Sequence, residues 1–483
     1  MPELSGEIQS KVLTRREILA RSARLAPALG LLPAALAACR QPEERAPGRV
    51  QVLVGFGTGN APDQVPVQVE LAQAFEKASG TGVSYLRIPD TDEAQRRFGV
   101  LLAAGDAPDV VLPSGLYGIN LYLDQNVWLD LAPLMKEDGV GLDLFVDAAQ
   151  QAARATNYYG PSSETVVGIP AGIHTHTLAY NRELFAKAGL EDLPRRWDAP
   201  GWTYQRLLEI ARELTRDSRG RKPTDAGFDP GDIRQFGLAH FFSDFIISAW
   251  GGRKYDPQAR KITVATPEYI EGTQWAADLV NVHHVQATRT SAAAIASGAD
   301  DPELAAWKSG KIGMVDMCSC DLRSWGSGLT FEWDVAPLPR GPARLFTHMN
   351  LDVGSVVARS KNVDKAWELL RFMLTEPDNA RRLSIQSYGA LSPLKSEAGK
   401  FVEILKKDFP SVNLQLFADA IPFSSPENEA WFPAFKEIND MGGQFLDPVF
   451  LGKASAADVL PAYQRAAQEK VDAWFKAHKL PSG

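Results

Sequence analysis

Cysteine is scarce in this chain. Cys39, Cys318 and Cys320 are the 3 in 483 residues, too few for a disulfide framework. Cys318 and Cys320 are only two apart, poorly placed for a disulfide with each other; they read as two free buried thiols, half of a zinc site at most. The apolar run at residues 25–38 (LAPALGLLPAALAA) falls short of the roughly 20 residues a bilayer-spanning helix needs, and Pro27, Gly30 and Pro33 interrupt it. Excess positive charge is missing too. With 51 Lys+Arg against 59 Asp+Glu the net charge is −8, which argues against a nucleic-acid partner. There is no GxGxxG after a strand, no P-loop, no GxSxG and no HExxH, so no cofactor is expected. Internal repeats are absent. What remains is ordinary globular composition, 45% hydrophobic and 23% charged, at a length that suggests two to four domains.

The short apolar run has a function of its own. Lys11, Arg15, Arg16, Arg21 and Arg24 precede it and Cys39 follows it, the order of basic, apolar and small-residue regions in a signal peptide. Leu36-Ala37-Ala38-Cys39 resembles a bacterial lipobox, in which the cysteine is lipidated. Residues 14–19 (TRREIL) resemble a twin-arginine export motif, with Ile18 where Phe is commoner and Ala20 where Lys is usual. Residues 1–39 are therefore expected to be a signal peptide with lipobox. Residues 40–49 (RQPEERAPGR) are polar and Pro-containing, a linker to the body.

The body alternates strand and helix patterns. Strands are expected at residues 50–56, 83–88 and 109–113, with helices at 65–79 and 92–104 between them. The first helix is expected to turn Val69, Ala72, Phe75 and Ala78 inward, and Gly80 to stop it. This βαβαβ rhythm predicts a mainly parallel sheet covered on both faces, with ligands at the carboxyl ends of its strands. Further strands are expected at 167–180, 312–317 and 353–358. Residues 216–235 read as a long exposed loop. A helix over 266–285 is expected to bury Ile270, Trp275, Leu279 and Val282.

Several stretches, in order, resemble the extracellular solute-binding proteins of carbohydrate ABC importers, the group that includes maltose-binding protein. Phe75 to Gly80 followed by Val83 is similar to the family's first helix and its turn into the second strand. Gly105-Asp106-Ala107-Pro108-Asp109-Val110 resembles the entry to the third. Gly168-Ile169-Pro170 with Leu178-Ala179-Tyr180-Asn181 resembles the first crossing between lobes. Trp307-Lys308-Ser309-Gly310-Lys311-Ile312-Gly313-Met314 is similar to an F-x-x-G-K-x-A-M stretch, with Trp for Phe and Gly for Ala. The resemblance implies the two-lobed type II periplasmic-binding-protein fold, α/β in each lobe, with a ligand cleft between. It implies residues 50–166 plus 352–388 as lobe one and 167–351 plus 389–483 as lobe two, joined by a hinge that closes on ligand.

A sugar offers apolar C–H faces and a ring of hydroxyls, so its site wants aromatic platforms and short polar groups. Thr58 and Asn60 after the first strand, and Ser114 and Tyr117 after the third, meet the second need, although both loops are also plausible turns. His174 follows the Ile-Pro dipeptide at the first crossing. His174 and His176 point the same way on a strand, yet no third ligand is evident and no metal site is expected. Trp250, Trp325 and Trp431 are the candidate platforms, Trp431 foremost. Ser319 and Asp321 follow a strand whose end the resemblance turns toward the cleft. Asn350 and Asp352 sit at the second crossing, Asp352 as a carboxylate able to accept two sugar hydroxyls.

These features predict a binding module rather than an enzyme: a monomer, outside the cytoplasmic membrane, tethered only through lipidated Cys39. It would capture a small solute, a carbohydrate or related polyol, and pass it to the permease subunits of an ABC importer. Two rivals are a binding protein for a peptide, polyamine or glycerophosphodiester, and a secreted glycoside hydrolase. The hydrolase would need two carboxylates in one cleft, a role open to Asp63, Asp321 and Asp352.

Overall fold

The computed structural model describes residues 48–154, 165–426 and 430–478; Cys39 and the export segment lie outside them. Among these residues the chain forms β1 (Val50–Val54), β2 (Val83–Arg87), β3 (Val110–Gly115), β4 (Ile169–Asn181), β5 (Arg216–Asp217) and β6 (Ile233–Ala239). After these come β7 (Tyr255–Asp256), β8 (Lys261–Ile262), β9 (Ile312–Cys318), β10 (Trp333–Ala336), β11 (Thr347–Val356) and β12 (Ser424–Ser425). One mixed sheet runs β2-β1-β3-β11-β4-β9-β6-β5, with β10 beside β4 and β12 beside β11; β7 and β8 pair separately.

The first half is the expected βαβαβ unit. All five residues of β1 are buried, as they must be in a parallel strand covered on both faces, and β1 pairs in parallel with β2 and β3. Helix Val65–Ser79 returns the chain from β1 to β2 and ends at Gly80, whose φ of 74° closes the cap. Helix Thr91–Ala104 is capped by Asp90, which accepts from the Glu93 amide. The inward face of the first helix differs from expectation. Val69 is exposed, while Gln68, Leu71, Ala72 and Phe75 are buried. Gln68 can be buried because its Nε2 donates to the Gly59 carbonyl at 2.8 Å and to Ser387 Oγ at 3.2 Å.

The second half repeats the theme around β6 and β9, which are parallel. Here the exposed-loop reading of 216–235 needs correction. Asp217 accepts from the amides of Arg219 and Arg221 and from Arg221 Nε, folding the loop back so that β6 starts at Ile233 and pairs with β5. Helix Pro267–Asn281 is also rotated from the expected face. Tyr269, Ala276, Ala277 and Leu279 are buried, and Val282, beyond its end, is exposed.

Two long strands run through both halves. The first part of β4 lies antiparallel to β11, and its second part lies between β9 and β10. The end of β11 in turn pairs antiparallel with β3. The sheet therefore curls into two lobes that share β4 and β11, and side chains midway along these strands lie beneath the junction.

Candidate binding cleft

A cleft of about 300 Å³ opens where the carboxyl end of β1 faces the carboxyl end of β9. One wall is the loop after β1, with Gly57, Thr58, Ala61, Asp63 and Gln64; the other is the turn after β9, with Cys320, Asp321 and Ser324. Both walls are strand ends, where parallel α/β sheets hold ligands because the connecting loops diverge there.

Gln64 shapes the first wall. Its Oε1 accepts from the amides of Gly59 at 2.6 Å and Ala61 at 3.2 Å. Its Nε2 donates to Thr58 Oγ1 at 2.6 Å, so the Thr58 hydroxyl keeps its own proton for a ligand. Asn60 faces away from this role: its Nδ2 donates to the Val54 and Ile88 carbonyls, both at 3.1 Å, and ties the ends of β1 and β2 together.

The second wall is a tight turn. β9 ends at Cys318 and the chain enters one 3-10 turn, Ser319–Asp321, then the short helix Leu322–Gly326. Cys318 and Cys320 form a disulfide, correcting the expectation of two free thiols. A continuous strand would hold two sulfurs two residues apart in parallel. The turn instead brings the Cα atoms to 5.2 Å, within the range a disulfide spans. Burial pushes the Asp321 carboxyl upward, an effect eased by His240, His176 and His174 and reinforced by Asp316.

Beneath the walls lies a buried polar ladder on β4 and β11. His174 Nε2 is 3.0 Å from Asp352 Oδ2, and His174 Nδ1 is 3.5 Å from Ser319 Oγ. His176 Nδ1 is 2.8 Å from Asp316 Oδ2, and its Nε2 is 2.7 Å from Asn350 Oδ1. Both partners of His176 are acceptors, so both ring nitrogens carry protons. Burial lowers its pKa, but Asp316 and Asn350 outweigh burial and raise it to about 8. The neighbouring His348 has the opposite character: burial, reinforced by the His176 charge, drives it to about 3.

The aromatic residues are distributed differently from expectation. Trp250 packs on Tyr204 and Trp275 at ring distances of 5.1 Å each. Trp431 is buried edge-on against Trp474 at 5.5 Å. Neither is among the cleft-wall residues. Tyr117 is half-buried with its ring edge on Phe435, and Ser114 is fully buried in the sheet. Trp325 is next to Ser324 and lies over His240 at 4.6 Å. His240 in turn meets Phe242 at 4.7 Å, and Phe242 is 43% exposed. Trp325 is itself buried and is not a cleft-wall residue, contrary to its expected role as a platform, and Phe242 meets His240 edge-on, so of these rings Phe242 is the exposed one. His240 has a φ of 48°, a region non-glycine residues seldom occupy and one that recurs at ligand sites. Sequence reasoning missed Gln64, Ser324, His240 and Phe242. The available signal was the ring-rich His240-Phe241-Phe242 at the carboxyl end of β6, hidden because the start of that strand was read as the end of the 216–235 loop and no strand was expected after it.

A two-lobed α/β body with a polar cleft between opposing strand ends defines a class of ligand-capturing proteins. The family model for bacterial extracellular solute-binding proteins matches residues 60–380, and the chain belongs to that family, which is one of binding proteins rather than enzymes. A binding protein of Brucella abortus (strain 2308) is 25% identical over 318 residues, 64% of this chain and 68% of the relative. Among solved structures, an ABC substrate-binding protein from Listeria monocytogenes in complex with cycloalternan is similar, with a TM-score of 0.69 and 18% identity, covering 90% of this chain and 99% of that one. UgpB from Mycobacterium tuberculosis in complex with glycerophosphocholine gives 0.68 and 19%, covering 89% and 99%. The GacH receptor of Streptomyces glaucescens, solved unliganded and with acarbose, gives 0.66 and 18%, covering 88% and 100%. Among the described residues no helix is long and apolar enough to cross a membrane.

Proposed function

We propose that this protein captures a carbohydrate or related polyol outside the cytoplasmic membrane and delivers it to the permease subunits of an ABC importer. The observation that carries this reading is the set of polar groups that face one another across the cleft. Thr58, Gln64, Asp63, Asp321 and Ser324 offer hydroxyl, amide and carboxylate partners for sugar hydroxyls. Beside Asp321, the half-exposed ring of Phe242 meets His240 edge-on and offers apolar surface to a sugar face. A phosphodiester fits less well, because the cleft walls carry two carboxylates and no lysine or arginine. Solved relatives that hold cycloalternan and acarbose support the same class. The lobe boundaries proposed are residues 50–166 plus 352–388 and 167–351 plus 389–483, with β4 and β11 as hinge strands. The protein acts as a monomer without a cofactor.

The test is a thermal-shift screen of the body against sugars, polyols, peptides and glycerophosphodiesters. A binder at 100-fold excess over its dissociation constant adds about 2.7 kcal/mol, and the expected response is confined to sugars and polyols. Stabilisation by peptides or phosphodiesters alone would replace the reading. In the same assay Asp321→Ala is expected to weaken the responding sugar about 10- to 150-fold, since a hydrogen bond to a charged group contributes roughly 1.5–3 kcal/mol. Calorimetric affinities of the two proteins check this.

The anchor belongs to the same proposal. Leu36-Ala37-Ala38-Cys39 supports lipidation of Cys39, and a lipid chain would hold an otherwise soluble body at the membrane. Cys39→Ser is expected to release the body or leave the precursor uncut, as read by membrane fractionation. Unchanged membrane association with normal processing would remove the anchor.

A further inference from the structure

The second cleft wall holds a grouping that solute capture does not use. A ring nitrogen of His174 and the sulfurs of Cys318 and Cys320 all lie within 4.8 Å of one another. His174 is buried, and its Nε2 faces the Asp352 carboxylate at 3.0 Å. A carboxylate accepts, so the ring proton sits on Nε2 and Nδ1 presents a lone pair. Nδ1 faces Ser319, the residue between the two cysteines, across a long 3.5 Å contact. A carboxylate that holds one nitrogen of an imidazole lying close to soft donors is the usual support of a metal-bound histidine. Read along the chain, His174 lacks a third ligand and Cys318 and Cys320 are half a site; the register of β4 against β9 brings the two halves together.

We propose that the Cys318–Cys320 disulfide masks a Cys2His metal centre, unmasked by a dithiol, in which Cys318, Cys320 and His174 hold a thiophilic divalent ion such as Zn²⁺ at the cleft. One thiolate of the dithiol attacks Sγ of Cys320, the half-exposed partner, and Cys318 leaves as thiolate. The second thiol of the reductant then displaces Cys320, and the dithiol departs as its own disulfide. Two electrons have passed to the cysteine pair. Binding of Zn²⁺ holds both sulfurs as thiolates and releases any thiol protons to water. Tetrahedral geometry at a Zn–S distance of about 2.3 Å asks the sulfurs to separate to about 3.8 Å. Cα atoms 5.2 Å apart allow this by side-chain rotation. Cys320 lines the cleft, so the fourth position opens toward water or solute. In an oxidising compartment the disulfide is the resting state, and the centre forms only where a dithiol acts.

The experiment uses the full chain, treated or not with dithiothreitol, desalted without oxygen and titrated with Co²⁺ and then Zn²⁺. The reduced chain is expected to take up one Co²⁺ with thiolate-to-metal charge-transfer absorption, which Zn²⁺ abolishes by displacement. The oxidised chain and the Cys318→Ser/Cys320→Ser variant should show neither. Cys320→Ser alone, at the half-exposed position, provides a second thiolate-deficient chain if the double variant melts early. Asp352→Asn should weaken metal binding roughly 10- to 100-fold, the usual effect of losing the group that orients a ligating histidine. Uptake by the reduced chain no greater than that of the serine variants, or uptake independent of reduction, would overturn the proposal. Sugar-induced thermal shifts on the oxidised chain separate the two readings: a normal shift without metal uptake removes the metal centre alone, and metal uptake without any shift removes the sugar reading alone.

Discussion

Trp431→Ala is expected to lower the unfolding free energy by about 3–5 kcal/mol, the usual loss for truncating a buried aromatic, while leaving solute affinity nearly unchanged. Trp431 is only 9% exposed and meets Trp474 edge-on. Trp474 lies on helix Ala456–Ala477, where it also touches Phe475 and stacks on His478 at 4.0 Å. Removing the indole therefore leaves a void under the C-terminal helix. A cleft platform would give the opposite pair of results. Its truncation would cost affinity, roughly 2–4 kcal/mol, and little stability, because a ligand face is partly solvated when empty. Chemical denaturation and calorimetry on the same variant decide the matter. The corresponding loss of affinity is expected at Phe242→Ala, whose ring is exposed beside His240 and Trp325.

The second large effect is a maximum in stability near pH 6.5, shaped by two histidines of the polar ladder. His176 has its folded pKa raised to about 8 against an unfolded value of about 6.5. Its contribution is complete below pH 6.5 and is lost as pH rises through 8, about 2 kcal/mol in all at 1.36 kcal/mol per unit. His348 is lowered to about 3, so the unfolded chain gains its proton first. Stability then falls by about 1.4 kcal/mol for each unit below pH 6.5, until pH 3 is approached. Denaturation midpoints across pH 5–8.5 for the native chain, His176→Gln and His348→Phe test this. His176→Gln should flatten the alkaline side and His348→Phe the acid side. A native-like alkaline slope in His176→Gln would mean that another group titrates there.

The two effects show where local pattern stops informing. Trp431 and Phe242 each stand beside a second aromatic residue, Phe432 and Phe241, and nothing in their immediate neighbours distinguishes them. What separates them is the partner across space: Trp474 covers one, while the other stands at the carboxyl end of β6. The same holds for the histidines. His174 and His176 share a strand face and a similar sequence setting. Yet β11 and β9 supply Asp352 to one and Asp316 with Asn350 to the other.

The local course of the chain was readable from residues alone. The βαβαβ opening, Gly80 as a helix stop and the strand positions of β1 to β4 follow from hydrophobic period and capping chemistry, which act over a few residues. The place of the loop after β1 at a ligand-facing strand end followed from the βαβαβ rhythm, and that of the turn after β9 from the resemblance. Tertiary structure alone decided the rest. The rotation of helix Pro267–Asn281 depended on what packs against it. The burial of Gln68 depended on Ser387, more than 300 residues away. The pairing of Cys318 with Cys320 depended on a strand ending one residue before the turn that joins them. Each is settled by contacts between distant segments, and a one-dimensional pattern carries no record of which segments meet.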